Sequence, residues 1–191
     1  MTVELVYETH ATTTDNEAGL ATGWLPGELS ATGRRQAREL GDRRRDDGID
    51  VVFTSDLARA VDTARIAFAG TAIPVHQDAR LRECDYGHFT GRPFTELAPR
   101  RARHITEPFL GGQSYRDVLD ATADFLRELS ADRDGQRVLL VAHSANRWAL
   151  ACLLGRARLR DVVDEPPGWW RPGWEYALPS GWRGRGRGAV R

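Results

Sequence analysis

Four residues of this 191-residue chain have the types and positions that phosphate chemistry needs: His10, Arg59, Glu83 and His143. Each histidine directly follows an apolar run of strand length, His10 after Val3-Glu4-Leu5-Val6-Tyr7 and His143 after Val138-Leu139-Leu140-Val141-Ala142. Ligands of parallel α/β sheets bind beyond the carboxyl ends of the strands, so both imidazoles are expected to reach one crevice. Arg59 falls in the first turns of a helix expected after Val51-Val52-Phe53-Thr54, and Glu83 opens an irregular stretch near the same edge. In combination, a guanidinium can fork phosphate oxygens, one imidazole can attack or donate, and a carboxyl can carry the proton. Singly, each residue has a plainer explanation. A histidine after a strand is more often a hydrogen-bonded structural residue, Arg59 a solvated helix residue, and Glu83 a capping or surface acid.

The elements that must position these groups follow from apolar periodicity. Short β-like runs alternate with helical stretches. Thr32 to Asp46 reads as a helix with Ala37 and Leu40 on its buried side, ending at Gly48. Ser55 or Asp56 is expected to cap the next helix, whose buried stripe is Leu57, Ala60, Val61, Ala64 and Phe68. Ile73-Pro74-Val75 suits a short edge strand. Leu81 to Gly112 reads as loops with short helices, where binding residues often sit. Ser114 with Asp117 marks a helix start, and Val118, Thr122, Phe125 and Leu129 mark its buried stripe. The run Val138 to Ala142 fits a central strand covered on both faces, followed by a helix over Trp148 to Leu154. This order predicts an α/β domain with a largely parallel sheet. From Glu165 onward, Pro166-Pro167-Gly168-Trp169-Trp170 suggests an aromatic surface segment before a last strand at Trp174-Glu175-Tyr176.

Composition narrows the function classes. Arginine plus lysine and aspartate plus glutamate each number 27, a formal net charge of zero, which argues against a dedicated nucleic-acid binder. With 41% hydrophobic residues, the chain can build a real core. Its apolar runs are too short to span a bilayer, so no membrane partner is expected. No secretory signal is visible at the start. Cys84 and Cys152 lack any CxxC spacing and read as buried thiols, the pattern of a cytoplasmic protein. Oligomeric state leaves no signal in the sequence.

Five segments, in order, resemble the histidine phosphatase superfamily, the phosphoglycerate-mutase-like enzymes. The opening Val6-Tyr7-Glu8-Thr9-His10 … Asn16 … Leu20-Ala21-Thr22-Gly23-Trp24 … Leu29-Ser30 … Gly33 is similar to the family's first motif. Ser55-Asp56-Leu57-Ala58-Arg59-Ala60 looks like its second arginine motif, and Leu81-Arg82-Glu83 … Asp85-Tyr86-Gly87 like its acid/base segment. Gly111-Gly112-Gln113-Ser114 resembles the usual Gly-Gly-Glu-Ser, and Val141-Ala142-His143-Ser144 the second histidine, with Ser where Gly is common. The resemblance implies a three-layer α/β/α sandwich with a largely parallel central sheet over a single domain, residues 1–180. The Gly/Arg-rich tail of residues 181–191 would be disordered. It implies that His10 attacks a small-molecule phosphomonoester, that Glu83 serves as acid and then base, and that Arg59 and His143 hold the phosphate oxygens. Asn16, Thr22 and Gly23 match phosphate- or substrate-contacting positions. No metal or other cofactor enters this scheme.

One departure stands out. The family's Arg-His-Gly is Thr9-His10-Ala11 here, so a phosphate-clamping guanidinium beside the nucleophile is replaced by a hydroxyl. Arg80, Arg82 or Arg147 would have to supply the charge. Arg147 lies one helical turn past His143 and, with Ser144, is the candidate at that edge; a solvent-facing Arg147 is the plain alternative. Glu8 would repel phosphate if it faced the pocket. Of Arg92, Arg100, Arg101, Arg103 and His104, any that points inward would imply a second anionic group on the substrate. Trp169, Trp170 and Trp174 would either wall a ligand or pack on the domain. Hydrolysis is the expected reaction, since only 60 positions separate Glu83 from His143, short for a mutase. A phosphomutase, or a phosphate-ligand-binding or regulatory protein weakened by the loss at Thr9, are the other readings.

Overall fold

Side chains along a strand alternate between faces, and in this chain that alternation assigns every helix to a layer. The computed structural model describes residues 1–163 and 173–184. Its sheet holds β1 (Thr2–Thr9), β2 (Val51–Thr54), β3 (Val75–Gln77), β4 (Arg137–Ala142) and β5 (Trp174–Pro179), in the spatial order β3-β2-β4-β1-β5. The pairs β2–β3, β2–β4 and β1–β4 are parallel, and β5 runs antiparallel along β1. Four longer helices accompany it: α1 (Ala31–Arg44), α2 (Ala58–Ala67), α3 (Tyr115–Asp132) and α4 (Ser144–Leu153).

Val3, Leu5 and Tyr7 of β1 and Val138, Leu140 and Ala142 of β4 face one way, into a core with α3 and α4 that includes Phe125, Leu126 and Trp148. Val6, Leu139 and Val141 face the other way, against Leu40 of α1 and Ala64 and Ala67 of α2. Each fully buried leucine in these layers contributes about 1.5–3 kcal/mol of transfer free energy. The result is the three-layer sandwich with a mostly parallel sheet that the sequence predicts. The same alternation disposes of Glu8. It shares the face of Val6, where Arg43 and Arg44 of α1 bind its carboxylate at 3.3 and 2.9 Å.

Several boundaries shift from expectation. Helix α1 runs Ala31–Arg44, ending before Asp46. Helix α2 begins at Ala58 after Leu57, which provides no side-chain cap. The Ser55 hydroxyl oxygen accepts from Leu57 N–H at 3.3 Å just before the helix and also lies against His143, while the Asp56 carboxylate pairs with Arg82. The edge strand is Val75–Gln77, two residues later than Ile73-Pro74-Val75. Pro74 still contributes, its carbonyl accepting from Val52 N–H at 2.9 Å. Helix α4 starts four residues before Trp148, immediately after His143. Helix α3 starts as expected, with Ser114 and Asp117 exchanging side-chain to backbone bonds of 3.2 and 2.8 Å. Both cysteines are free and buried. Trp169, Trp170 and residues 185–191 of the Gly/Arg-rich segment lie outside the described residues.

Candidate active site

Three strands of the sheet end in register, with Thr9 opposite Ala142 and Thr54 opposite Val141. His10, Ser55 and His143 therefore leave the same edge side by side, and His10 N–H extends the ladder to Ala142 O at 2.9 Å. The two imidazole centroids lie 5.0 Å apart. His10 Nδ1 is 2.8 Å from Ala11 O. A carbonyl only accepts, so Nδ1 carries the hydrogen and Nε2 keeps a bare lone pair. His143 sits behind His10, with 0% exposure. Its Nε2 is 2.7 Å from Ser55 Oγ, while its buried Nδ1 has no hydrogen-bond partner. Tyr7 donates its phenol hydrogen to His143 O, and His143 N–H donates to Asn146 Oδ1 at 3.2 Å. Sequence reasoning missed these three supports, Ser55, Tyr7 and Asn146. The one signal for them was position: Tyr7 and Ser55 lie near strand ends that lead into the site, and Asn146 in the first turn of the helix that follows His143.

Arg59 enters from the first turn of α2 and is 2% exposed. Its guanidinium donates to Gly23 O and Leu25 O, both at 2.8 Å. Gly23 makes this possible by taking φ +52°, a conformation that disfavours any Cβ, and an added Cβ would meet Thr90 Oγ1 at 2.9 Å. The loop carrying these carbonyls is tied back by a bridge between Thr13 and Leu29. Gly33 lets α1 press on the start of this loop, since a Cβ there would lie 1.9 Å from Thr12 O.

These groups surround an open hollow of about 670 Å³, counting the solvent at its mouth. Of the residues singled out in the sequence, Thr9, His10, Asn16, Thr22, Gly23, Arg59, Glu83, Ser144 and Arg147 line it, with His143 directly behind. Asn16 is fixed by a reciprocal bond to Thr13, its Oδ1 accepting from Thr13 N–H at 3.0 Å. Thr22 Oγ1 is buried without a partner. Glu83 Oε1 accepts from Cys84 N–H at 2.8 Å, and the Glu83 carbonyl accepts from the Trp24 indole N–H at 2.7 Å. The Gly111-Gly112-Gln113 turn supports this stretch, because Gln113 Oε1 and N–H bond Asp85 N–H and O at 3.2 and 2.9 Å.

The arginines sort cleanly. Arg80 is held by Asp78 and Glu128, and Arg82 by Asp56, so neither replaces the guanidinium absent at Thr9. Arg147 reaches the hollow, with its guanidinium 5.1 Å from the centre of the Trp174 ring. Trp174 thus packs on the domain and steadies an arginine. Arg100 lies over Phe89 and Arg103 pairs with Glu107, both outside the hollow, whereas Arg101 points inward.

Burial dominates the electrostatics. It pushes the His10 imidazolium down to about 3, helped by the Arg59 charge, and holds His143 well below the usual histidine range for the same reasons. Both rings are therefore neutral at neutral pH. Burial raises the Glu83 carboxyl above its ordinary value, partly offset by the Cys84 N–H and the Arg59 charge. An unprotonated nitrogen, a guanidinium and a carboxyl inclined to keep its proton are thus gathered on one anion-sized concavity. Among the described residues no helix is long and apolar enough to cross a membrane.

Comparison with known proteins fits this geometry. A phosphoserine phosphatase of Hydrogenobacter thermophilus is 29% identical over 160 residues, covering 80% of this chain and 76% of its own. A 2,3-bisphosphoglycerate-dependent phosphoglycerate mutase of Cytophaga hutchinsonii is 30% identical, covering 83% and 80%. Among solved structures, Bacillus stearothermophilus YhfR superposes with a TM-score of 0.78 at 27% identity, covering 86% of this chain and 85% of its own. A mycobacterial glucosyl-3-phosphoglycerate phosphatase complexed with VO3 superposes with a TM-score of 0.76 at 28% identity, covering 86% and 87%. The model of the histidine phosphatase superfamily (branch 1) matches residues 9–166, a span that opens beside His10 and takes in Arg59, Glu83 and His143; to that superfamily this chain belongs.

Proposed function

We propose that this protein hydrolyses a small phosphomonoester through a phosphohistidine on His10. The observation that carries the reading is the Nδ1–H of His10 committed to Ala11 O, which leaves Nε2 unprotonated on the wall that also holds Arg59 and Glu83. In the first step Nε2 forms a bond to phosphorus as the ester P–O bond breaks, and protonated Glu83 gives its hydrogen to the departing alkoxide. In the second, a water oxygen attacks the phosphohistidine while Glu83 takes the water proton. The P–N bond breaks and inorganic phosphate leaves with His10 neutral again. Arg59, Arg147, Thr9 and Ser144 bind the phosphoryl oxygens, and His143 offers a further hydrogen bond beside His10. Asn16, Thr22 and Gly23 contact the substrate. The relatives named as phosphatases support hydrolysis; the named mutases keep phosphoryl return to a second hydroxyl as the alternative outcome.

The test is phosphate release from p-nitrophenyl phosphate and a panel of sugar, nucleotide and hydroxy-acid phosphates, wild type against His10→Ala. Loss of release in the variant, with a base-stable, acid-labile phosphoryl label on the wild-type chain, is the expected result. Equal release from both proteins would remove His10 from the mechanism. Tight phosphate binding without turnover would favour the reading in which the replacement at Thr9 left a ligand-binding protein.

A further inference from the structure

One peptide unit carries two of the bonds that fix Glu83. Its N–H, that of Cys84, donates to Glu83 Oε1 at 2.8 Å. Its oxygen, that of Glu83, accepts from the Trp24 indole N–H at 2.7 Å. The three groups form one chain, running from the indole through the amide to the carboxyl. Bonds linked in this way polarise one another, so a donor on the amide oxygen makes the amide N–H a better donor in turn. Trp24 is firmly placed for this. Its neighbours Gly23 and Leu25 give their carbonyls to the Arg59 guanidinium, both at 2.8 Å. Its ring lies 4.6 Å from the Arg82 guanidinium, which the Asp56 carboxylate holds. Yet Trp24 is not among the residues that line the hollow, and it is 38% exposed. A half-open indole can give its N–H to water at little loss. Here that N–H is committed to the carbonyl of the one carboxyl residue on the hollow.

We infer that Trp24 is a positioning residue for proton transfer by Glu83, holding the carboxyl through the peptide unit that joins Glu83 to Cys84. This rests on the hydrolytic reading above and adds to it a residue that acts from outside the hollow. General acid catalysis depends on where the carboxyl hydrogen points, and a small displacement of a reacting group costs rate steeply. Without the indole donor, the carbonyl of this peptide turns toward water and the carboxyl bonded to its N–H turns with it. In the first step Glu83 serves the departing oxygen alone. The loss of Trp24 is therefore felt most where that oxygen is most basic.

The test is kcat/KM for p-nitrophenyl, phenyl and benzyl phosphate, ring esters of similar size whose leaving oxygens need progressively more help from an acid. The full chain is compared as wild type, Trp24→Phe, Glu83→Gln and the double variant. Trp24→Phe keeps a ring for Arg82. It is expected to slow the benzyl ester about tenfold, the upper range for one hydrogen bond, and the p-nitrophenyl ester less than about threefold. On the benzyl ester the double variant should lose no more than Glu83→Gln alone, because the indole acts only through the carboxyl. The Cys84 amide proton should move upfield in the NMR spectrum of Trp24→Phe as its bond to the carboxyl weakens. Equal loss on all three esters, or losses that add in the double variant, overturn the inference and leave His10-dependent hydrolysis standing. Absence of turnover in the wild type would remove the hydrolytic reading instead. The Cys84 amide signal would then decide, an unmoved signal refuting the hold of Trp24 on the carboxyl and a shifted one supporting it. Should Trp24→Phe not fold, replacing Trp24 by 3-benzothienylalanine, which keeps the ring shape and lacks the N–H, carries the same expectations.

Discussion

If Arg147 supplies the charge that Thr9 lacks, moving a guanidinium back to position 9 should make Arg147 dispensable. Arg147 lies on the same hollow as Thr9 and His10 and is steadied under Trp174 at 5.1 Å. One charge-assisted hydrogen bond to phosphate is worth about 1.5–3 kcal/mol, so Arg147→Ala should lower kcat/KM roughly 10- to 150-fold. Thr9→Arg alone should change it by less than about threefold, because the clamp is already present. In the Arg147→Ala background the same substitution should recover tenfold or more, a coupling above about 1 kcal/mol between the two positions. Trp174→Leu removes the cation–π contact together with a ring contact to Tyr7 and should cost at least about two- to fivefold. The assay is steady-state hydrolysis of p-nitrophenyl phosphate with vanadate inhibition constants measured alongside. Arg147→Ala activity within twofold of wild type, or an identical effect of Thr9→Arg in both backgrounds, would refute the relocation of the clamp.

Three other outcomes follow from the same geometry. Burial raises the Glu83 carboxyl; if it acts first as an acid, as proposed, kcat/KM should fall as pH rises through its folded-state value, and Glu83→Gln should remove that limb while costing about 10²- to 10⁴-fold on esters with poor leaving groups. His10 titrates near 3 in the folded chain and near 6.5 when unfolded; the unfolded state therefore binds the extra proton between those values. Stability should decline as pH drops through that window, at up to about 1.4 kcal/mol per unit. Chemical denaturation of His10→Gln should show a shallower acid slope, and an unchanged slope would assign the loss to other groups. Gly23→Ala forces a Cβ onto a backbone at φ +52° and toward Thr90 Oγ1, so unfolding experiments should find it destabilised by about 1–2 kcal/mol, with weaker vanadate binding as the Arg59 acceptor shifts.

Much of this architecture was legible because it depends on local periodicity. The stripe Val118, Thr122, Phe125 and Leu129 is buried as a helix of period 3.6 requires, and Val138 to Ala142 is covered on both faces. The strand-end positions of His10 and His143 were readable for the same reason. What escaped the sequence depends on contacts between distant segments. Nothing near Ser55 announces that its hydroxyl will meet His143, 88 positions away, so a helix cap was the natural expectation. Arg101 sits among Arg100, Arg103 and His104 without a pattern to separate it; only the fold turns it toward the hollow, leaves Arg100 and Arg103 outside it and buries His104 against Phe109. Glu8 could be placed only once the pairing of β1 showed which face it shares, and α1 showed which cations await it.

Trp24 joins the catalytic stretch to the outside world. Its indole N–H is bonded to the Glu83 carbonyl, its ring lies 4.6 Å from the Arg82 guanidinium, and 38% of it is open to solvent. Any occupant that draws the Glu83 segment toward itself must also tug on this ring and alter its polar surroundings. The enzyme thereby carries an intrinsic optical gauge beside its hollow, and the emission of this ring is expected to shift when vanadate is titrated in without turnover.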